Sequence, residues 1–536
     1  MIKFINRNLT AIVFLSIGLF YMLWCIDFGN LQFGDLGDSR FNNWVLEYFY
    51  TALSSQSSSF KTSNFLYPLI NNMLLSDNHW FAGIFYSFFR FINFDQYKSY
   101  SILLMVESSL NFISCYYVLR KFNLSRNSSA IGAFIFSFNT MILIKISHSQ
   151  LHFKAFIPLA ILFVFQYFKK RNFKYLCLVI FCVSLQLMIS SYLGMFLIIY
   201  LIIIILTIMG QFKIKDFKKF LPIKYSPKTS IPLLVLSLLC FSIYFFPYFY
   251  TINLYNLKFI LTIGVPFELN AILFSKHSPL FIYFSELFQI EFSSKNIENN
   301  LFLGIGVWLT VILSIFAKNY HKFLEFSHKK IFLATAITIL FFLMNKYLPT
   351  FYLAQLYIPG FNNLRVENRF FYVVFFGVIL ATAKFLHYLE LKNNRKSKII
   401  YYILVLIILI EAFLTKYHFS DHKSQEKNIA EYQELAKKYA KPDSILLFTF
   451  SNKFLQNRDY VIENINLQFA FLKQPQQMII NGYTGHMLME INFANDCSNA
   501  ENIVIKNEKK INKIFNNNFK YDRDKLVIFN DNKICK

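Results

Sequence analysis

Eleven apolar runs are the feature of this sequence that most constrains its fold. Each run is near or above the roughly 18 residues that cross the hydrocarbon core of a membrane. Only 16% of the 536 residues are charged, which is too few to cover the surface of a soluble protein of this size. The sequence therefore predicts an α-helical polytopic membrane protein with about 11 transmembrane helices, at about residues 9–26, 100–119, 128–146, 153–168, 175–190, 193–209, 230–250, 301–317, 331–348, 371–389 and 399–415.

The positive charge of the chain indicates how it is oriented. A net charge of +24 is typical of a nucleic-acid partner or an anionic membrane surface. With the N-terminus in the cytoplasm, however, six short inner segments hold 23 Lys and Arg and only two acids, and the outer loops are poor in Lys and Arg. This distribution follows the positive-inside rule. We expect a cytoplasmic N-terminus, contact with membrane lipids and no nucleic-acid partner.

Three segments on the opposite side of the membrane are long: the first extracytoplasmic loop at 27–99, a second outer loop at 251–300 and the tail from 416 to 536. The tail contains the strand-like runs SILLFTF and KLVIF and one helical stretch. We expect a transmembrane domain over 1–415 and a small C-terminal α/β domain over 416–536. In a bacterial inner (cytoplasmic) membrane that domain would be periplasmic or otherwise extracytoplasmic.

The seven cysteines are too few and too scattered to form a disulfide or zinc framework. Five of them lie in apolar runs, where a small buried thiol is usual. Cys497 and Cys535 both lie in the tail, on the oxidising side of a bacterial inner membrane. The sequence leaves open whether these two form a disulfide or remain separate thiols.

Two aspartates, Asp35 and Asp38, follow directly on the first predicted span. A carboxylate in this position reaches both a lipid head group and water, so it suits a general base acting on an acceptor hydroxyl. The structural alternative is a helix N-cap, because Asp38 or Ser39 precedes the amphipathic stretch FNNWVLEYFYTAL. The local pattern supports both interpretations.

Two further groups of polar residues lie at predicted outer ends of spans. His148, Gln150 and His152 suit hydrogen bonding to a sugar or phosphate, or to the ends of the adjoining helices. A metal ion would need a third protein ligand beside the two histidines, and none is identifiable, so we assign no metal site there. Arg365 and Arg369 are four residues apart and suit a phosphate at the interface; alternatively they are snorkelling anchors or pair with Glu367.

Glu107 lies deepest within the predicted spans, and an intramembrane carboxylate is by default a functional candidate. It supports an alternative function, a lipid or glycan transporter or flippase. A non-catalytic membrane scaffold is a third interpretation. The sequence contains no Walker A, HExxH or GxSxG pattern in a supporting context, which disfavours an ATP-driven pump and the common hydrolases.

Six segments in chain order resemble the GT-C class of polytopic membrane glycosyltransferases, in particular bacterial members with a first-loop aspartate. They are GDSRFNNWVLEYFYTAL with NFLYPL beyond it, HSQLHFKAFIPLAIL, LQLMISSYLGMFLIIYL, ENNLFLGIGVWL, NNLRVENRFF and IINGYTGH. Glu367 stands where a proline is common in the class, and His486 stands in an aromatic position. Each motif is short, but the six are distributed along almost the whole chain.

The resemblance implies transfer of a hexosyl or pentosyl group from a polyprenyl-phosphate-linked donor to a cell-surface glycan or lipid acceptor, usually with inversion. Asp38 falls on the catalytic aspartate of the class, and Asp35 is the reserve candidate. Arg365 and Arg369 would stabilise the leaving phosphate. No cofactor is assigned, and a divalent metal ion is left open because metal dependence varies across the class. The implied substrate-binding residues are His148, Gln150, Tyr192, Glu298, Arg365 and Arg369.

Overall fold

A computed structural model gives the fold of the chain. It describes residues 2–535 except 55–58, 78, 211–221, 223, 256–266, 276–277, 288–299, 346–349, 358–363, 365, 393, 416–418, 452–458, 475, 484–493, 495, 516 and 532. The chain forms two compact units. The helical unit contains 1–28, 104–242 and 259–418, and the loop–tail unit contains 29–103, 243–258 and 419–536.

The α-helices, in chain order, are α1 (Ile2–Cys25), α2 (Asp38–Ser54), α3 (Trp80–Phe91), α4 (Gln96–Lys121), α5 (Arg126–Phe138), α6 (Thr140–Ile144), α7 (Phe156–Lys170), α8 (Phe173–Ile189), α9 (Ser191–Met209), α10 (Pro227–Leu254), α11 (Leu269–Leu273), α12 (Pro279–Leu287), α13 (Ile305–Phe316), α14 (Tyr320–Phe323), α15 (Phe326–Met344), α16 (Thr350–Tyr357), α17 (Phe371–Lys392), α18 (Arg395–Leu414), α19 (Glu426–Tyr439), α20 (Tyr460–Ala470) and α21 (Cys497–Phe515). The strands are β1 (Gln32–Phe33), β2 (Phe419–Ser420), β3 (Ile445–Thr449), β4 (Met478–Ile479), β5 (Leu526–Asn530) and β6 (Lys533–Ile534).

Each of the eleven predicted spans corresponds to an apolar helix. Within the described ranges, nine helical segments are long and apolar enough to cross a membrane, and the two shorter apolar helices are Phe173–Ile189 and Ile305–Phe316. The short predicted span at 153–168 is α7, and its Pro158 lies in the first helical turn, where the missing amide hydrogen costs nothing. The chain is a multi-pass membrane protein.

Helix α17 is the centre of the helical unit. Most side chains of α17 are buried, and the helix packs against α5, α9, α13, α15 and α18. Close approach requires a glycine at position 377, because a Cβ there would lie 1.9 Å from Oγ1 of Thr335. That hydroxyl shares a 2.7 Å hydrogen bond with Tyr200 of α9. Small residues at helix contacts and hydrogen bonds between helices are typical of packing within membranes.

The tail contributes a four-stranded sheet with the order β4-β3-β5-β6. Strand β3 is parallel to both β4 and β5, whereas β6 runs antiparallel to β5. All five residues of β3 are buried, as expected for a parallel strand covered on both faces. The predicted small α/β region is therefore confirmed, with strands where SILLFTF and KLVIF stand.

The first outer loop joins this sheet. Phe65, from the segment NFLYPL, forms a parallel bridge with Ile479 of β4. The amide of Ile479 donates to the Asn64 carbonyl, and the amide of Tyr67 donates to the Ile479 carbonyl. Strand β1 of the loop also pairs antiparallel with β2 of the tail. The loop–tail unit thus includes segments of the chain outside the 416–536 domain that the sequence predicts.

The two faces of the sheet have separate cores. Leu446 and Phe448 contribute to one core, which also contains residues of α2, α19 and α20. Ile445 and Leu447 contribute to the other, together with residues of α21. Cys497 at the start of α21 forms a disulfide with Cys535, which resolves the alternative that the sequence left open.

Candidate functional site

The two first-loop aspartates have different structural roles. Helix α2 begins at Asp38, and the amide of Ser39 in its first turn donates to Oδ1 of Asp35 at 3.1 Å. The Ser39 hydroxyl donates to the Phe33 carbonyl at 2.6 Å. Asp35 is therefore a side chain that accepts from the first turn of α2.

The half-buried carboxylate of Asp38 is next to a tyrosine of the tail. The hydroxyl of Tyr483 donates to Oδ1 of Asp38 at 3.4 Å, and the Tyr483 ring packs edge-on against Phe41 with centroids 5.2 Å apart. The side-chain amide of Gln468 donates to the Tyr483 carbonyl at 3.2 Å, and the Gln468 carbonyl accepts from the Trp44 indole at 3.0 Å. Helix α2 and the tail are therefore held together around Asp38.

The residues before Tyr483 are fixed by close contacts. The side-chain amide of Asn481 both donates to and accepts from the backbone of Phe448, each at 2.7 Å, as a neighbouring strand would. A Cβ on Gly482 would lie 2.9 Å from Cγ of Leu66, so this position favours glycine. These contacts explain the Asn-Gly-Tyr sequence of the segment IINGYTGH, which the structure describes as far as Tyr483.

In the helical unit, the structure brings together two of the predicted substrate-binding residues. The guanidinium of Arg369 lies over the ring of Tyr192, 4.6 Å from its centroid. Glu367 accepts from the Phe267 amide at 2.6 Å and from the Asn345 side chain at 2.5 Å. Glu367 is therefore hydrogen-bonded to two other segments of the helical unit.

His148 and Gln150 lie in a tight connection between α6 and α7, where Ser149–Leu151 forms a 3₁₀ turn. The turn is braced by buried amides from two other helices. The side chain of Asn111 donates to the His152 carbonyl at 2.8 Å and accepts from the Lys154 amide at 2.9 Å. The side chain of Gln186 donates to the Phe153 carbonyl at 2.9 Å.

These bracing residues were not predicted from the sequence. Gln186 belongs to the segment LQLMISSYLGMFLIIYL, where it was quoted only as part of a motif. Gln186 lies four residues before Ser190, whose hydroxyl caps the N-terminus of α9. This spacing was the available sign in the sequence that polar side chains order the junction between α8 and α9.

Glu107 is buried inside the helical unit, 2% exposed, and its charge interacts with that of Lys154, which is 0% exposed. The ammonium of Lys154 lies 5.1 Å and 5.7 Å from the ring centroids of Phe136 and Phe375, and donates to the His152 carbonyl at 3.3 Å. An internal charge partner gives Glu107 a structural role of its own.

Two predicted site residues, Glu298 and Arg365, lie outside the described residues, as does His486. Among the residues that are described, no three His, Cys, Asp or Glu side chains come together as a metal site. The donor set around Asp35 and Asp38 therefore does not match a metal centre by itself, and no step below is assigned to a metal ion.

Comparison with known proteins gives a family match and several similar structures, of which two are described. Residues 10–412 match the family described as "Domain of unknown function (DUF6311)". No curated protein matches the chain. The oligosaccharyltransferase of Archaeoglobus fulgidus, in its apo form, has a TM-score of 0.50 and 11% identity, over 93% of this chain and 68% of that one. The mycobacterial arabinofuranosyltransferase AftD has a TM-score of 0.44 and 13% identity, over 82% of this chain and 29% of that one.

The likeness to the archaeal enzyme concerns the fold, which is that of the GT-C class, as the order of the motifs predicted. At 11% identity it assigns neither a substrate nor a catalytic residue. With residues 10–412 of its 536 matched, the chain belongs to the DUF6311 family.

Proposed function

We propose that this protein is a membrane glycosyltransferase in which Asp38 is the general base. The donor would be a sugar linked to a polyprenyl phosphate, and the acceptor a cell-surface glycan or lipid. The reaction would take place at the outer face of a bacterial inner membrane, with the N-terminus in the cytoplasm and the tail outside.

The observation that carries the proposal is the environment of Asp38. Asp35 accepts the hydrogen bond from the first turn of α2, so the carboxylate of Asp38 is not required for that role. A half-buried carboxylate held beside one phenol suits proton abstraction, because a general base must be positioned within hydrogen-bond reach of the hydroxyl that it deprotonates.

In the proposed reaction, Asp38 takes the proton of the acceptor hydroxyl as that oxygen forms a bond to the anomeric carbon. The bond from the anomeric carbon to the lipid phosphate breaks, and the phosphate leaves with the electron pair. Arg365 and Arg369 would bind this phosphate, because guanidinium groups contact phosphate oxygens bidentately. His148, Gln150, Tyr192 and Glu298 would orient the sugar or the acceptor.

The test compares two Asp→Asn variants in a strain that lacks the gene. Asp38→Asn should abolish sugar incorporation into the surface glycan while the amount of protein in the membrane stays the same. Asp95→Asn is the matched control: Asp95 accepts from the amides of Tyr97 and Lys98 at the start of α4, a role that asparagine fills about as well. An unchanged glycan with Asp38→Asn would contradict the assignment.

The alternative function, a lipid or glycan transporter acting through Glu107, makes the opposite demand. Transport should survive the loss of the Asp38 carboxylate and fail when Glu107 is neutralised. A non-catalytic scaffold would be indifferent to both changes, provided that the protein stays folded.

A further inference from the structure

Five cations meet at the junction between α7 and α8 in the helical unit. We call them the Lys170 cluster: Lys169, Lys170, Arg171, Lys174 and Lys224. Lys224 comes from the segment before α10 and is held by backbone hydrogen bonds. Its amide donates to the Arg171 carbonyl at 3.1 Å, and its carbonyl accepts from the Phe173 amide at 3.0 Å. One end each of the apolar helices α7, α8 and α10 therefore lies at or within a few residues of this cluster.

The Lys170 cluster has almost no acidic residues near it in the sequence. Asp216 is the only Asp or Glu between residues 108 and 267. Within the part of the chain that the structure describes, none of the five cations forms an ion pair. Three of the five side chains are exposed and two are half-buried. The positive charge of the cluster is therefore open to a partner from outside the chain.

Two of the ammonium groups share one tyrosine. Nζ of Lys170 donates to the hydroxyl of Tyr175 at 3.0 Å. Nζ of Lys170 and Nζ of Lys174 lie 5.3 Å and 5.2 Å from the centroid of the Tyr175 ring. An aromatic ring attracts a cation but carries no net charge, so two like charges beside one ring still repel each other. A bound anion would offset this repulsion.

The stability of the helices does not account for where these cations lie. The helix dipole favours Lys169 and Lys170 in the last turn of α7, but it disfavours Lys174 in the first turn of α8. Arg171 ends α7 with a φ of 48°, in the left-handed region that glycine usually occupies at a helix end. The positive-inside rule explains an excess of Lys and Arg on one side of the membrane, but not the convergence of this turn with Lys224.

We propose that the Lys170 cluster binds the head group of an anionic phospholipid such as phosphatidylglycerol. Because apolar helices end or begin at the cluster, its cations lie at the level of the lipid phosphates. The rings of Phe173 and Tyr225, 5.7 Å apart, suit the same depth. In the proposed orientation the lipid belongs to the cytoplasmic leaflet, whose surface is negative. The inference does not depend on the proposed glycosyl transfer.

The first experiment measures the acetylation rate of individual lysines of the full chain in lipid nanodiscs, by peptide mass spectrometry. Lys170 and Lys174 should react about fivefold more slowly in phosphatidylglycerol than in phosphatidylcholine, which is the gain expected per cation at an anionic surface. Lys438 is the internal control: it lies over the Tyr439 ring of the tail, 5.0 Å from the centroid, and should react equally in both lipids. Equal rates for Lys170 and Lys174 in the two lipids would overturn the proposal. So would an equally large slowing at the exposed Lys396 of α18, which would indicate diffuse attraction to the membrane only.

The second experiment counts the phosphatidylglycerol molecules retained by the purified full chain, by native mass spectrometry. The double variant Lys170→Gln/Lys174→Gln should retain fewer than the unmodified chain. The matched control Lys437→Gln/Lys438→Gln, which removes two charges from the exposed side of α19, should retain the same number. Equal retention in both double variants would contradict the proposal.

A third measurement separates a lipid from a soluble phosphate. Glycerol phosphate, added to the chain in phosphatidylcholine nanodiscs, carries the charged group without acyl chains and should leave the acetylation of Lys170 and Lys174 unchanged. If it slowed both lysines as much as phosphatidylglycerol does, the cluster would bind a soluble phosphate and the assignment to a lipid would be wrong.

Discussion

The hydroxyl of Tyr483 donates to the carboxylate of Asp38, and this bond joins two motifs that lie 445 residues apart in the chain. The tyrosine is held by the hydrogen bond from Gln468 and by its contact with Phe41. The proposed base is therefore positioned by the tail as well as by its own loop.

Removing this hydroxyl should lower activity without unfolding the protein. In Tyr483→Phe the ring can still pack against Phe41, but the hydrogen bond is lost, so we expect sugar transfer to fall roughly two- to fivefold. Tyr483→Leu also loses the ring contact and should be more severely affected. Initial rates of sugar incorporation, normalised to folded protein, measure both effects. Equal rates in Tyr483→Phe and the unmodified protein would show that the tyrosine does not position Asp38.

The stacked pair of Arg369 and Tyr192 can be tested through the donor substrate. Tyr192→Phe keeps an aromatic face for the guanidinium and should have little effect, whereas Tyr192→Leu removes the cation–π contact of about 0.5–2 kcal/mol. We expect the KM for a polyprenyl-phosphate sugar to rise several-fold in Tyr192→Leu and more in Arg369→Lys, which loses bidentate contacts. If all three variants have the same KM as the unmodified protein, the pair does not bind the phosphate of the donor.

The pair of Glu107 and Lys154 separates the two candidate functions. Glu107→Gln alone removes the carboxyl group that interacts electrostatically with the buried Lys154, and it should lower the thermal unfolding midpoint of the protein. The double variant Glu107→Gln/Lys154→Met removes both charges, and its stability should recover much of that loss. A glycosyltransferase should remain active in the double variant. A folded but inactive double variant would instead favour the transporter.

The disulfide between Cys497 and Cys535 predicts both a stability effect and a compartment. The two residues are 38 positions apart, so replacing both with serine should destabilise the loop–tail unit by about 4 kcal/mol. Protein from intact cells, alkylated without reduction, should carry no label on either cysteine. Labelling of both would indicate a reducing compartment and would contradict an extracytoplasmic tail.

The membrane helices were predictable because their signal is local. Each span is a continuous apolar run, and even the short run that contains Pro158 corresponds to a helix, α7. Strands β3 and β5 were predictable for the same reason. The alternation of Lys-rich and Lys-poor loops also predicts the orientation of the chain in the membrane, and alkylation of Cys497 and Cys535 in intact cells tests that prediction.

Contacts between distant segments were not predictable from the sequence. Nothing in NFLYPL indicates that Phe65 adds to the edge of the tail's sheet, since an exposed edge accepts any extended segment. Nothing in the sequence around Arg40 indicates that this first-loop arginine is fully buried. The separate roles of Asp35 and Asp38 also required coordinates, because both aspartates fit the sequence pattern of a helix start.

The addition of the first loop to the tail's sheet has a consequence for biogenesis. Trp44 and its hydrogen-bond partner Gln468 are 424 residues apart, so at about 5–20 residues per second the loop would wait roughly 20–85 s during synthesis for the segment that covers it. Until then, Trp44 and Phe65 have no core to enter, and the loop is exposed to proteases and chaperones. The first loop is therefore expected to mature only after the segment around Gln468 has been made, and a chain truncated before that segment should be degraded from its first loop even though its membrane helices are intact.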